Sequence, residues 1–197
     1  ITDLYNDKSI LPCLVVAIDR SKDPLRGYFI HRNIDVNNKE FEYEKDLYSR
    51  FILNFRKHLM NRFNAGRKMG FWGLCLGITA MVHAIDYPQY FPYIAMTSPH
   101  TDFRVGSYKF IDYLYKNQRL LKYLKGIQVD CGFDDYNIYL SSVKELDKVF
   151  TKIINYYKLS DTTKYTYQKF LGGHDFQTWK SSFSNFLKVY FSNNRYE

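Results

Sequence analysis

Lys68-Met69-Gly70-Phe71-Trp72-Gly73-Leu74-Cys75-Leu76-Gly77-Ile78 decides how this chain is read. Lys68 to Leu74 is a short, mostly apolar run of strand length, and Ile78 to Ile85 reads as a helix that ends before Pro88. Cys75 stands at the junction, between Gly73 and Gly77. A residue held in a strained conformation at a sharp strand-to-helix turn needs neighbours without side chains two positions before and after it. The G-x-nucleophile-x-G spacing meets that need. The following helix points its free N–H groups and its dipole at the same place, which favours a thiolate and an oxyanion alike. The Leu76 N–H is the expected oxyanion donor. A free cysteine is commonly a small buried hydrophobe, and Cys13 and Cys131, inside strand-like runs, are read that way.

Outward from this turn, short apolar runs alternate with amphipathic segments, the pattern of a mostly parallel sheet with helices on both faces. Strands are expected at Leu11–Ile18, 68–74, Pro92–Thr97, Gly126–Cys131 and Thr163–Phe170. Helices are expected at 41–64 with Gly66 as its stop, at 78–85, 107–121, 140–158 and 176–191. In the helix at 140–158 the buried face is Val143, Leu146, Phe150, Ile153 and Tyr157; in the last one it is Trp179, Phe183, Phe186, Leu187 and Tyr190. The chain, 1–197, reads as one α/β domain, and its 197 residues suit a single sizeable core.

A nucleophile needs a base, and the base needs an orienting acid. Where the nucleophile stands on a G-x-nucleophile-x-G elbow, the order along the chain is nucleophile, acid, His, and in an open parallel sheet the site lies at the carboxyl edge of the strands. Asp134 and Asp135 follow the strand that ends near Gly132, and His174 follows the last strand in Leu171-Gly172-Gly173-His174-Asp175. The two glycines give the backbone freedom to aim an imidazole. His58 and His83 fall on helices and read as surface or packing residues. His31 and His100 fall in loops at the same sheet edge, where solvent exposure is the simpler expectation and lining the substrate pocket the functional one. The long loop through Arg20, Arg26 and Tyr28 is a candidate substrate-binding segment, with a plain solvated loop as the equal alternative.

The composition narrows the partners. A formal charge of +8 raises the question of nucleic acid, but the cations are scattered: Lys144, Lys148 and Lys152 share a helix face with Glu145 and Asp147, a solvated surface. No run of about 18 apolar residues exists to span a bilayer. Three cysteines without a C-x-x-C pair suggest neither a disulfide framework nor a zinc site, and they fit a reducing, cytoplasmic compartment. No metal or organic cofactor is implied. The start at Ile1-Thr2-Asp3 has neither an initiator Met nor the layout of a signal peptide, so a trimmed or processed start is expected.

At this point the residues resemble a family of α/β-hydrolases that includes esterase D, feruloyl and acetyl-xylan esterases and enterochelin esterase-like proteins. Gly73-Leu74-Cys75-Leu76-Gly77, continuing through Ala80, Tyr87-Pro88 and Phe91, is similar to that family's elbow, helix and "P..F" sequence. Gly172-Gly173-His174-Asp175-Phe176 with Trp179 is similar to its "GGHDW..W" signature, and Gly132-Phe133-Asp134-Asp135 to its "G..D" acid motif, which points to Asp135 over Asp134. The resemblance covers about residues 10–191. It implies an α/β-hydrolase fold and a carboxylic-ester or thioester hydrolase with Cys75, Asp135 and His174 as its triad and a small ester as substrate.

Cys75 stands where the family has Ser, and Ile78 where a second Gly is usual; Gly-x-Cys-x-Gly is also similar to dienelactone hydrolase, a Cys-His-Asp member of the same superfold. The family's early strands and the loop with its second oxyanion donor would precede residue 1, so the fold is expected to lack its N-terminal strands. A sheet edge left open in this way invites pairing with another chain, as in a homo-oligomer, or with the missing segment. Two further readings share these residues: acyl transfer, and an inactive esterase-like protein kept for binding or assembly.

Overall fold

The computed structural model describes residues 2–16, 50, 53–66, 68–75, 82, 84–102, 104–105 and 108–192. The elements, in chain order, are α1 (Thr2–Asn6), β1 (Gly70–Leu74), β2 (Tyr93–Thr97), β3 (Arg104–Val105), β4 (Tyr108–Lys109), α2 (Phe110–Lys116), α3 (Gln118–Leu121), β5 (Gly126–Gly132), α4 (Asn137–Tyr157), β6 (Lys164–Phe170) and α5 (Phe176–Tyr190). Residues 53–63 and 84–86 are helical as well.

The main sheet has the order β1-β2-β5-β6, and every pairing in it is parallel. Parallel neighbours need crossovers, which is why helical segments separate the strands in sequence. The register places Leu74, Thr97, Asp130 and Gln168 in one row. All four strands therefore send their chain out of the sheet at the same edge.

Alternate residues of a strand face opposite sides, and both sides here find a helix. Ile94, Met96, Ile127, Val129 and Cys131 pack with Val143, Leu146, Phe150 and Ile153 of α4. On the other side Ala95 packs with Phe186 and Tyr190 of α5, beside Trp72 and Tyr93. Each large apolar side chain buried in this way contributes roughly 1.5–3 kcal/mol. The mixed α/β architecture with a parallel sheet is thus the one that the alternating pattern implies.

Several expected boundaries are corrected. Residues 11–16 do not form a strand: the chain there makes a single antiparallel bridge, Ile10 to Ser192, and leaves Leu14, Val15 and Val16 between 40% and 47% exposed. Residues 17 and 18 lie outside the described residues, as do 41–49 of the expected helix 41–64. That helix stops at Asn64, whose left-handed φ of 49° takes the role expected of Gly66, and its Phe63 is 52% exposed. Within the expected helix 107–121, residues 108–109 form β4, paired antiparallel with β3, and two helices that part at Asn117 follow. There the Asn117 side chain donates to the Tyr113 carbonyl (2.9 Å), so a side chain takes up an acceptor of the last helical turn.

The α5 side of the sheet also carries a buried polar layer. Gln128 Nε2 donates to Asp130 Oδ2 (2.6 Å) and to the Ser182 carbonyl (3.1 Å). Ser182 Oγ donates to Asp130 Oδ2 (2.9 Å) and is joined by Thr97 Oγ1 and Trp72 Nε1, while Asn185 donates to Gln128 Oε1 (3.0 Å). These bonds tie α5 to β1, β2 and β5. Among the described residues Asp130 Oδ1 has no hydrogen-bond partner, and a buried carboxylate oxygen without a donor favours the protonated form. Burial accordingly pushes the Asp130 carboxyl up to about 7, against the pull of Gln128 and Ser182.

The native state then keeps a proton that the unfolded chain, with its carboxyl near 3.8, has already released. The stability this proton contributes is complete below about pH 4 and is lost as the pH rises to about 7. Asp130→Asn should remove this contribution, so its unfolding free energy, read from urea titrations, gains on wild type by on the order of 2 kcal/mol between pH 5 and pH 8. Parallel pH profiles for the two proteins would refute this.

Candidate active site

Each of the four strands delivers one residue to the shared edge. Cys75 follows β1 directly and has a left-handed φ of 50°; Ser98 follows β2 with φ 48°. For residues with a Cβ this region costs free energy, and it is commonly tolerated where function requires it. Asp135 lies on the turn from β5 into α4, and His174 on the turn from β6 into α5.

The loops of β5 and β6 are pressed together backbone to backbone. The Phe133 N–H donates to the Phe170 carbonyl (2.8 Å) and the Asp134 N–H to the Gly172 carbonyl (3.0 Å). A Cβ at Gly132 would lie 2.3 Å from the Gly172 carbonyl oxygen, so this approach requires glycine there. Gly172 itself has φ 113°, which only glycine adopts without strain. Asp175 then caps α5, accepting from Thr178 N–H (2.9 Å) and Gly173 N–H (2.8 Å). Those donors, Thr178 first, hold its carboxyl below the usual range.

This clamp brings Asp135 to His174. His174 Nδ1 lies 3.1 Å from Asp135 Oδ1, with the carboxylate side chain fully buried and the imidazole 18% exposed. An ionised carboxylate only accepts, so Nδ1 carries the proton and Nε2 is left as the free base. Asp135 also accepts from Ser98 Oγ (2.5 Å) and from the Tyr136 N–H (2.9 Å). The start of α4 adds a positive partial charge beside it. Asp134, the alternative acid, is exposed and has only its backbone engaged with Gly172.

Aromatic rings enclose the imidazole. Tyr139 stacks on it (centroids 4.3 Å apart, planes at 12°), Trp179 meets it edge-on at 5.3 Å, and Tyr136 lies at 5.9 Å. Trp179 sits one turn into α5, which explains the spacing of His174 and Trp179 in the sequence. Cys75 Sγ is hydrogen-bonded to Tyr139 Oη at 3.3 Å, and no hydrogen bond joins it to His174. The contact with Cys75, followed by burial, pushes the Tyr139 hydroxyl up to about 12.

His100 is only 8% exposed, which corrects the expectation of a solvated loop histidine, and its ring stands edge-on to Tyr139 at 6.2 Å. Leu76, Arg20, Arg26 and Tyr28 lie outside the described residues. Sequence reasoning missed Ser98 and Tyr139. Ser98 is the first residue after an apolar strand at the active edge, a signal that could have found it; Tyr139 has none, because its reach to Cys75 depends on how α4 packs. The Gln128–Asp130 layer was also missed, though polar residues alternating with Ile127, Val129 and Cys131 in one strand are a visible mark.

Among the described residues no cluster of three or more His, Cys, Asp or Glu side chains could hold a metal ion, and no helix is long and apolar enough to cross a membrane.

No protein-family model and no curated protein matches the chain. Solved structures do match it. Among them is a ferulic acid esterase with a TM-score of 0.52 at 16% identity, over 72% of this chain and 58% of that one. This chain therefore spans less than two thirds of that esterase's length. At such identity the likeness is one of fold, and the fold it supports is esterase-like.

Proposed function

We propose that this protein is a carboxylic-ester or thioester hydrolase working through Cys75, His174 and Asp135 and an acyl-enzyme intermediate. The observation that carries the reading is the His174 Nδ1–Asp135 hydrogen bond at 3.1 Å, set on the same sheet edge as a cysteine in a left-handed conformation at the end of β1. His174 Nε2 takes the thiol proton, and the sulfur attacks the acyl carbon while the carbonyl electron pair moves onto oxygen. The intermediate collapses, the C–O bond breaks, and His174 returns its proton to the departing alcohol. Water, deprotonated by the same nitrogen, then cleaves the thioester and restores the thiol. Asp135 holds the tautomer and stabilises the imidazolium. The Cys75–His174 contact forms as substrate seats; hydrogen bonds of this kind are often long beforehand. Leu76 N–H is the oxyanion donor in this scheme, and Arg20, Arg26, Tyr28 and His100 are the candidate substrate contacts. Acyl transfer would use the same residues with another acceptor.

One observation favours the competing reading of an inactive esterase-like protein: the Cys75 sulfur is bonded to Tyr139 instead of His174. Incubation with p-nitrophenyl acetate separates the two. The expected result is a burst of about one p-nitrophenolate per chain, with a hydroxylamine-labile acetyl group on the Cys75 peptide by mass spectrometry. Acetylation confined to surface lysines would refute the hydrolase reading.

A further inference from the structure

Tyr139 reaches the site from the first turn of α4, where its N–H donates to the Tyr136 carbonyl (2.9 Å). Its ring is held against His174 at 4.3 Å and its hydroxyl lies 3.3 Å from the Cys75 sulfur. One contact on the ring face and one on the hydroxyl leave the hydroxyl little freedom to turn elsewhere. We propose that Tyr139 is a catalytic hydrogen-bond donor that stabilises the Cys75 thiolate during attack. The inference rests on Cys75 being the nucleophile.

A phenol that keeps its proton to about pH 12 remains a donor across the working range, and a thiolate can only accept from it. The charged and titratable groups facing Tyr139 are Asp135 and Tyr136 before α4, His174 before α5, His100 after β2, and Cys75 itself. Tyr139→Phe removes the donor and keeps the ring, so the His174 stack is retained.

A hydrogen bond to a charged group is worth about tenfold in the population of the charged form. Its removal also makes the remaining thiolate intrinsically about threefold more reactive, because nucleophilicity rises with basicity. The two effects have different pH dependence, and that supplies the test. Iodoacetamide alkylation of Cys75, followed by peptide mass spectrometry on the full chain, should be roughly threefold slower in Tyr139→Phe at pH 6.5. At pH 10, where an ordinary thiol is already ionised, it should be roughly threefold faster. A purely structural role would change both rates in the same direction. Equal rates, or the same factor at both pH values, would overturn the proposal. A crossover without acetylation of Cys75 supports the thiolate contact and removes the hydrolase reading; acetylation with a flat ratio leaves the hydrolase reading intact and overturns this one.

Discussion

Cys75→Ala is expected to lower turnover of a short-chain p-nitrophenyl ester by about 10⁶-fold. Without the sulfur, His174 and Asp135 have no covalent intermediate to support, and only binding and any oxyanion donors remain; removal of a nucleophile from such a unit costs as much as removal of the whole triad. The fold should tolerate the change. Alanine at φ 50° carries a backbone penalty similar to that of cysteine, and the main loss is one sulfur–hydroxyl hydrogen bond to Tyr139. The measurement is kcat for wild type and variant against the uncatalysed rate, and equal activity would remove Cys75 from the mechanism. Cys75→Ser gives a second arm. Activity above wild type would show a site shaped for a hydroxyl nucleophile, with cysteine as the later occupant.

Asp135→Ala is expected to cost about 10⁴-fold in kcat, the loss seen when the orienting acid of a triad is removed. Three donors converge on this carboxylate: His174 Nδ1, Ser98 Oγ and the Tyr136 N–H. Truncation frees the imidazole to take the wrong tautomer and withdraws the charge that stabilises imidazolium. It also strands the other donors, at about 1–3 kcal/mol of stability for a buried unpaired group. Asp134→Ala is the internal control, because that side chain is exposed and only its backbone contributes, through Gly172. Its kcat should stay within about twofold of wild type, as is usual for a surface truncation. A large loss in Asp134→Ala with a small one in Asp135→Ala would reverse the assignment of the acid.

The sheet and its two long helices were legible in the residues because their patterns are strong and local. β1, β2, β5 and β6 fall within a residue or two of the expected strands, and α4 buries Val143, Leu146, Phe150 and Ile153 as its period of about four predicts. Leu11 to Val16 shows the opposite case. An apolar run becomes a strand only where a neighbour offers its free N–H and C=O groups, and among the described residues these six find only the Phe191 carbonyl, which accepts from the Leu11 N–H. The division of 107–121 was hidden for a related reason, since Asn117 has its own hydrogen-bonding group with which to end a helix.

By itself, then, the sequence determined which strands would meet at one edge and that a cysteine, an aspartate and a histidine would lie there, because strand order, glycine placement and hydrophobic period are local properties of the chain. Asp134 and Asp135 differ by one residue, and only the family resemblance pointed to Asp135; it is the tertiary structure that brings Asp135 to His174, beside the Gly132–Gly172 backbone contact, and leaves Asp134 in solvent. Tertiary structure likewise placed Ser98 behind the acid, Tyr139 between Cys75 and His174, and Asp130 in a buried polar layer beneath α5. Apart from the Gln128–Asp130 bond, these contacts join residues 35 or more positions apart (Tyr139 to His174 being 174 − 139 = 35), and no local pattern specifies them; they follow from how α4 and α5 pack on the sheet.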